Sequence, residues 1–176
     1  MVIWLTGLSG AGKSTLAMAV EQHLLRKGYA VYVLDGDNVR SGLNANLGVS
    51  PEDRVENIRR VGEVAALFAD AGFLCITAFI SPYRADRARA RAATPPGTFH
   101  EVYVSADLAT CEGRDPKGLY RMARAGELAE FTGVSAPYEP PEAPALVVDT
   151  ARQPLEACIE QILAHVAQHF ALASGR

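Results

Sequence analysis

The chain has 176 residues, of which 49% are hydrophobic and 21% charged, with a net charge of −3. This length favours one domain with a substantial core, and the acidic balance excludes a global basic field for nucleic acid. Three dispersed cysteines, Cys75, Cys111 and Cys158, argue against a disulfide framework and against a structural zinc.

The first apolar run, residues 2–5, reads as a β-strand. It feeds Gly7-Leu8-Ser9-Gly10-Ala11-Gly12-Lys13-Ser14, which has the spacing G-x-x-x-x-G-K-S, and Thr15 opens a good helix former over 15–21. A strand, a Gly-rich turn and a helix in that order are the setting of a phosphate-binding P-loop. Glycines let backbone N–H groups curl around phosphate oxygens, and the helix N-terminus adds partial positive charge. Lys13 reaches the outer phosphates of a triphosphate, and the Ser14 hydroxyl is a Mg²⁺ ligand. Gly28 closes this helix, and 30–34 reads as a second strand.

That strand ends in Asp35 and Asp37. Carboxylates beside a triphosphate site are unfavourable unless a cation or a proton transfer needs them. They are read as Mg²⁺ ligands or as the base orienting an attacking hydroxyl, against the alternative that Asp37 caps a helix from Asn38 onward. Residues 51–71 form a long helix. Its apolar face holds Val55, Ile58, Val61, Ala65 and Phe68, whereas Glu56, Arg59 and Arg60 lie on a solvated face. Arg54 and Asn57 fall on the inward side, and an inward Arg needs an anionic substrate group or a structural carboxylate.

Residues 73–79 form a third strand, apolar on both faces, with Cys75 in the core. Residues 84–93 are helical, 99–104 a fourth strand, 145–149 a fifth and 154–170 a closing helix. The segment 111–126 is basic and glycine-punctuated, with Arg114 and Lys117, and fits a lid over phosphates; a solvated basic helix is the alternative. The Pro-rich piece 137–144 is a stiff connection. Alternating strands and helices imply an α/β fold, a mainly parallel five-stranded sheet with helices on both faces. The unit is a single domain, 1–176, with residues 171–176 a frayed tail. No stretch reaches the roughly 18 apolar residues of a membrane span. A soluble, cytoplasmic protein without nucleic-acid or membrane partners is expected.

The combination of motifs resembles the adenylyl-sulfate kinase family of P-loop kinases. Matching pieces are the P-loop, 34–40, 53–60, 78–84, 114–120 and 131–133 with 137–139. The resemblance implies transfer of the ATP γ-phosphoryl, with Mg²⁺, to the 3′-hydroxyl of adenosine 5′-phosphosulfate (APS) in sulfate activation. It implies that Gly7 to Thr15 and Arg114 bind ATP and that Lys13 and Asp37 serve the reaction centre. Arg40, Arg54, Asn57, Ile80, Lys117, Leu119 and Phe131 hold APS, with Phe131 stacked on its adenine. Ser81 matches a serine described in the family as a phosphoserine intermediate. In-line transfer between two bound nucleotides needs only positioning and charge stabilisation, so Ser81 is equally read as a helix N-cap before Pro82. A homodimer, and fusion to or association with ATP sulfurylase, are the expected assemblies. The chain departs from the family pattern at Val49, where phenylalanine usually forms the other side of the adenine sandwich. It departs again at Ser41, where the family has His, and at Arg121-Met122, where it has a lysine pair. The competing reading is another small-molecule P-loop kinase of the shikimate or gluconate type.

Overall fold

The computed structural model describes residues 1–170; the tail read from sequence as frayed lies outside the described residues. Five strands, β1 (Val2–Thr6), β2 (Val31–Asp35), β3 (Leu74–Ala78), β4 (Phe99–Ser105) and β5 (Leu146–Asp149), form one sheet in the order β2-β3-β1-β4-β5. Every pairing is parallel, so the sheet is wholly rather than mainly parallel. The helices are α1 (Lys13–Arg26), α2 (Gly36–Arg40), α3 (Pro51–Asp70), α4 (Arg84–Ala92), α5 (Leu108–Arg114), α6 (Leu119–Arg124) and α7 (Leu155–His169). Of these, α2, α5 and α6 were not resolved by periodicity. Each is seven residues or fewer, too short to show a 3.6-residue repeat.

Alternation along the strands divides the core into two layers. On β1, Ile3 and Leu5 pack with Leu16, Val20, Ile76, Val104 and Ile162 on the α1/α7 side. Val2 and Trp4 pack with Ile58, Val61, Cys75, Phe79 and Phe99 on the α3/α4 side. Successive side chains point to opposite faces, so a strand covered on both sides must be apolar throughout. All residues of β1 and β3 are buried accordingly. Cys75 is the core residue expected.

Helix α3 starts where its sequence says it should. The Ser50 hydroxyl accepts the Asp53 amide at 3.1 Å, and Pro51 occupies the first turn. Midway along α3, Gly62 faces α4. A Cβ at this position would lie 2.9 Å from the Ala90 Cβ and 3.0 Å from its Cα, so the two helices pack only because the side chain is missing. Gly62→Val should therefore destabilise the protein. It gains a few tenths of a kcal/mol in helix propensity, and overpacking costs about 1–3 kcal/mol. Urea unfolding is the measurement, and an unchanged or raised midpoint would show that the helices separate freely here.

Candidate active site

The carboxyl ends of β1, β2 and β3, adjacent in the sheet, bring three candidate segments to one edge. Asp35 and Leu5 both pair with Ala78. At about 4.8 Å per strand spacing, the end of β2 therefore stands roughly 10 Å from the start of the P-loop. Ligands of open α/β sheets bind outside these strand ends.

The P-loop wraps tightly. A Cβ on Gly7 would sit 2.4 Å from the Val104 carbonyl oxygen, and one on Gly10 would sit 2.9 Å from that of Cys111. Gly10 and Gly12 have φ of 78° and 95°, the left-handed region that favours glycine. Lys13 opens α1 and is buried, its ammonium donating to the Gly7 and Leu8 carbonyls at 2.9 and 2.7 Å. Burial pushes its pKa down to about 8, and the neighbouring Cys111 only partly opposes this. Ser14 and Thr15 are exposed, and α1 has no acidic residue in its first turn and no side-chain cap. Its free N–H groups are a ready anion site. A cleft of roughly 500 Å³ opens beside Gly10, Gly12, Thr15, Arg114, Thr150 and Leu155.

The two aspartates divide their work differently from the sequence expectation. Asp35, not Asp37, caps the helix: its Oδ1 accepts the Asp37 and Asn38 amides at 3.0 and 2.9 Å, and the Asn38 Oδ1 accepts the Asp35 amide in turn. This capping box leaves the Asp37 carboxylate free and exposed, and its only salt-bridge partner among the described residues is Lys117, at 3.1 and 3.2 Å. Two residues 80 positions apart that were both read as site residues thus meet. Ser14 and Asp37 offer hard oxygen donors, the chemistry Mg²⁺ requires. Asp35 has one oxygen engaged in the cap and fits that role less well.

The structural carboxylate is not the partner of the inward Arg54 among the described residues: its guanidinium donates to the Glu130 backbone carbonyl. A carbonyl carries no net charge, so the guanidinium charge is unneutralised. Asn57 is buried and accepts the Asn44 amide at 2.7 Å, tying the 41–50 loop to α3. Arg60 is not the solvated residue predicted. It holds Glu56 at 2.8 Å, the Leu43 carbonyl at 3.0 Å and Asn46 at 2.8 Å. Together Arg59 and Arg60 lower the Glu56 pKa to about 2. Arg40, exposed, reaches the Gly48 carbonyl at 3.4 Å.

Ser81 is not a helix cap. It is buried at φ 41°, and its hydroxyl accepts the Trp4 indole N–H at 3.1 Å. The α4 cap comes from a distance: Glu139, in the Pro-rich segment, accepts the Arg84 amide at 2.7 Å. Arg87, 2% exposed, donates to the Ser81 carbonyl at 2.6 Å, to Glu101 at 2.5 Å and to the Glu139 carbonyl at 2.7 Å. Thr6 donates to the Ile80 carbonyl at 2.7 Å and accepts from Tyr138 at 3.0 Å. None of Trp4, Arg87, Glu101 and Tyr138 was found from sequence, since no local pattern marks residues that meet only in the fold.

The basic segment is helical at both ends, α5 and α6, around Asp115–Gly118. Arg114 donates to the Thr150 carbonyl at 2.6 Å and the Gly10 carbonyl at 3.3 Å. The buried Tyr120 hydroxyl donates to the Ser9 carbonyl at 2.8 Å. Phe131 packs edge-on against Tyr120, with centroids 5.1 Å apart, and Leu119 is half-buried beside it in sequence. Val49 is 61% exposed.

The adenylylsulphate kinase family profile matches residues 1–149. The chain is 60% identical over 166 residues to the adenylyl-sulfate kinase of Geotalea daltonii, covering 94% of this chain and 82% of that protein. It is 56% identical over 168 residues to that of Staphylococcus epidermidis, covering 96% and 84%. Among solved structures, the Mycobacterium tuberculosis APS kinase in complex with AMPPNP and APS superposes with a TM-score of 0.89 at 46% identity, over 94% of this chain and 96% of that one. A buried P-loop lysine, an exposed Asp37 and this identity along nearly the whole chain agree, and the chain belongs to the adenylyl-sulfate kinase family.

Proposed function

We propose that this chain transfers the γ-phosphoryl of ATP to the 3′-hydroxyl of adenosine 5′-phosphosulfate, giving 3′-phosphoadenosine 5′-phosphosulfate and ADP. The observation that carries the reading is the meeting of Asp37 and Lys117 at the P-loop edge of the sheet. A phosphoryl transfer site needs a proton acceptor and cations around one centre. Asp37 is the group placed to accept the hydroxyl proton and orient the attacking oxygen. Lys13 and the amides of Gly7 to Thr15 hold the β- and γ-phosphates, and Arg114 flanks the nucleotide cleft. Mg²⁺, held by Ser14 and Asp37 with Asp35 nearby, would neutralise phosphate charge. Arg54, Arg40 and the Asn57 amide hold the phosphosulfate and ribose, while Ile80, Leu119 and Phe131 line the adenosine pocket. With Val49 in place of an aromatic, Phe131 supplies a single stacking face. Lys117 exchanges Asp37 for phosphate when nucleotide arrives. A homodimer is the proposed assembly, supported by exposed Leu67 and by Tyr32, which stacks on Phe68.

Purified protein with ATP, Mg²⁺ and APS should form the 3′-phosphorylated product. Asp37→Asn should lower kcat about a hundredfold or more, within the range of lost general-base catalysis. Arg54→Ala should act mainly through KM for APS, because a binding cation is lost. No product from APS alongside turnover of gluconate or shikimate would overturn the reading, and a near-normal kcat in Asp37→Asn would overturn the assignment of Asp37.

Ser81 acts here as a positioning residue, its hydroxyl turned to Trp4 inside the core. Ser81→Ala leaves a buried indole N–H unpaired, which costs about 1–3 kcal/mol of stability. It should retain turnover. A folded variant with none, and phosphoserine trapped on the wild type, would restore Ser81 as a phosphoryl carrier.

Lys13 sets a pH limit on ATP binding. Its free-state pKa is lowered to about 8, so the lysine is neutral above that pH, whereas the anionic phosphates select the ammonium. ATP is already fully ionised there. Calorimetric Kd for ATP should be flat below pH 8 and weaken by up to about tenfold per pH unit above it, as one proton is taken up on binding. A flat Kd from neutral pH well into the alkaline range would show that Lys13 stays charged in its cradle.

A further inference from the structure

Three histidines meet at the edge of the sheet opposite the P-loop. His100 is the second residue of β4, and His165 and His169 stand one turn apart at the end of α7. One ring nitrogen of each lies within 4.8 Å of those of the other two. The closest pair, His100 Nδ1 and His165 Nε2, is 2.9 Å apart. The outward nitrogens are already committed. His100 Nε2 lies 3.2 Å from the Gly97 carbonyl, and His169 Nδ1 lies 2.8 Å from the His165 carbonyl. A carbonyl only accepts, so these nitrogens carry the protons and leave His100 Nδ1 and His169 Nε2 as lone pairs. Carbonyls that accept the proton of the far ring nitrogen fix the tautomer and ring orientation of metal-binding histidines.

We propose that His100, His165 and His169 form a site for a divalent transition-metal ion of the zinc type, with solvent completing the coordination. Imidazole nitrogen is the ligand such ions favour. Three nitrogens at 2.0–2.1 Å from a tetrahedral ion stand about 3.3 Å from one another. His100 Nδ1 and His165 Nε2 stand close to that value and the third nitrogen lies within 4.8 Å of both, so modest ring rotations suffice. Without the ion, His165 Nε2–H donates to His100 Nδ1. On binding, the His165 proton moves to Nδ1 through solvent, and both facing nitrogens become ligands. The ion would clamp the last turn of α7 to the start of β4, far from the reacting groups.

The test uses the full chain without an affinity tag, treated with EDTA and dialysed, and zinc chloride titrated by calorimetry. One ion per chain should bind, and zinc should raise Tm. His165→Gln and His169→Gln should each weaken binding about a hundredfold or more, since losing even a group that only hydrogen-bonds a ligand costs about 10–100-fold. His169 is exposed, so its replacement leaves the fold intact. The fourth histidine, His23, lies on α1, and His23→Gln should bind zinc as the wild type does. Absence of saturation once zinc exceeds protein several-fold would overturn the proposal, as would zinc binding that survives both α7 substitutions.

Discussion

The site rests on keeping an ammonium group in a place that has almost no room for water. Lys13 is 8% exposed, and its two hydrogen-bond acceptors are backbone carbonyls of the loop that it organises. Carbonyl dipoles orient a cation but do not neutralise it, so burial still favours the neutral amine. The loop can curl this closely only because Gly7 and Gly10 press against the Val104 and Cys111 carbonyls, where no Cβ fits. Cys111 in turn lies on α5, whose end supplies Arg114. Tyr120 adds a third anchor from α6 through the Ser9 carbonyl. The P-loop is therefore shaped by β4, α5 and α6 as much as by its own sequence.

A second buried network fixes the end of β3. Arg87 and Glu101 form a 2.5 Å ion pair whose side chains are 2% and 11% exposed. Such a pair gives little net stability against an apolar alternative, but removing one partner strands the other. Its role is better read from geometry. The same guanidinium holds the Ser81 and Glu139 carbonyls, so one side chain joins α4, the turn after β3 and the Pro-rich segment. That turn carries Ser81 at a positive φ that nothing local to a serine favours. Surrounding contacts from Trp4, Arg87 and Thr6 impose it. A hydroxyl held in this way by a buried indole is poorly placed to shuttle a phosphoryl group.

The layered sheet and the phosphate loop were legible in the sequence because each depends on short-range signals. Continuous apolar runs mark strands covered on both faces, and G-x-x-x-x-G-K-S between a strand and a helix has one mechanical use. What escaped was set by distance along the chain. Glu139 caps α4 from 55 residues away, which made Ser81-Pro82 look like the helix start. The cap on α2 went to Asp35 because that helix begins at Gly36, two residues earlier than the Asp37-Asn38 pair suggests. Arg60 carries the same charge as Arg59 one position along, yet it clamps the 41–50 loop while Arg59 is held by Glu56 on its own helix. The helical wheel separates inward from outward; it does not say what a neighbouring loop will offer.

The cations proposed to hold substrate have a common feature. Arg54 rests on the Glu130 carbonyl, Arg40 on the Gly48 carbonyl, Arg114 on carbonyls of Thr150 and Gly10, and Lys117 on an exposed carboxylate. None has a buried anionic partner, unlike Arg87. Carbonyl contacts and exposed ion pairs are weak, the latter worth about 0–1 kcal/mol. An incoming phosphate offers each of these groups a charge-assisted bond roughly twice as strong as a neutral one. The exchange is therefore downhill on binding without any strong native interaction having to break first. Arg54 also links α3 to the segment before Phe131, Arg114 links α5 to the P-loop and to Thr150 after β5, and Lys117 reaches α2. On the proposed reading, their transfer to substrate would draw those segments in around both nucleotides and leave Asp37 released from Lys117 at the moment a hydroxyl arrives.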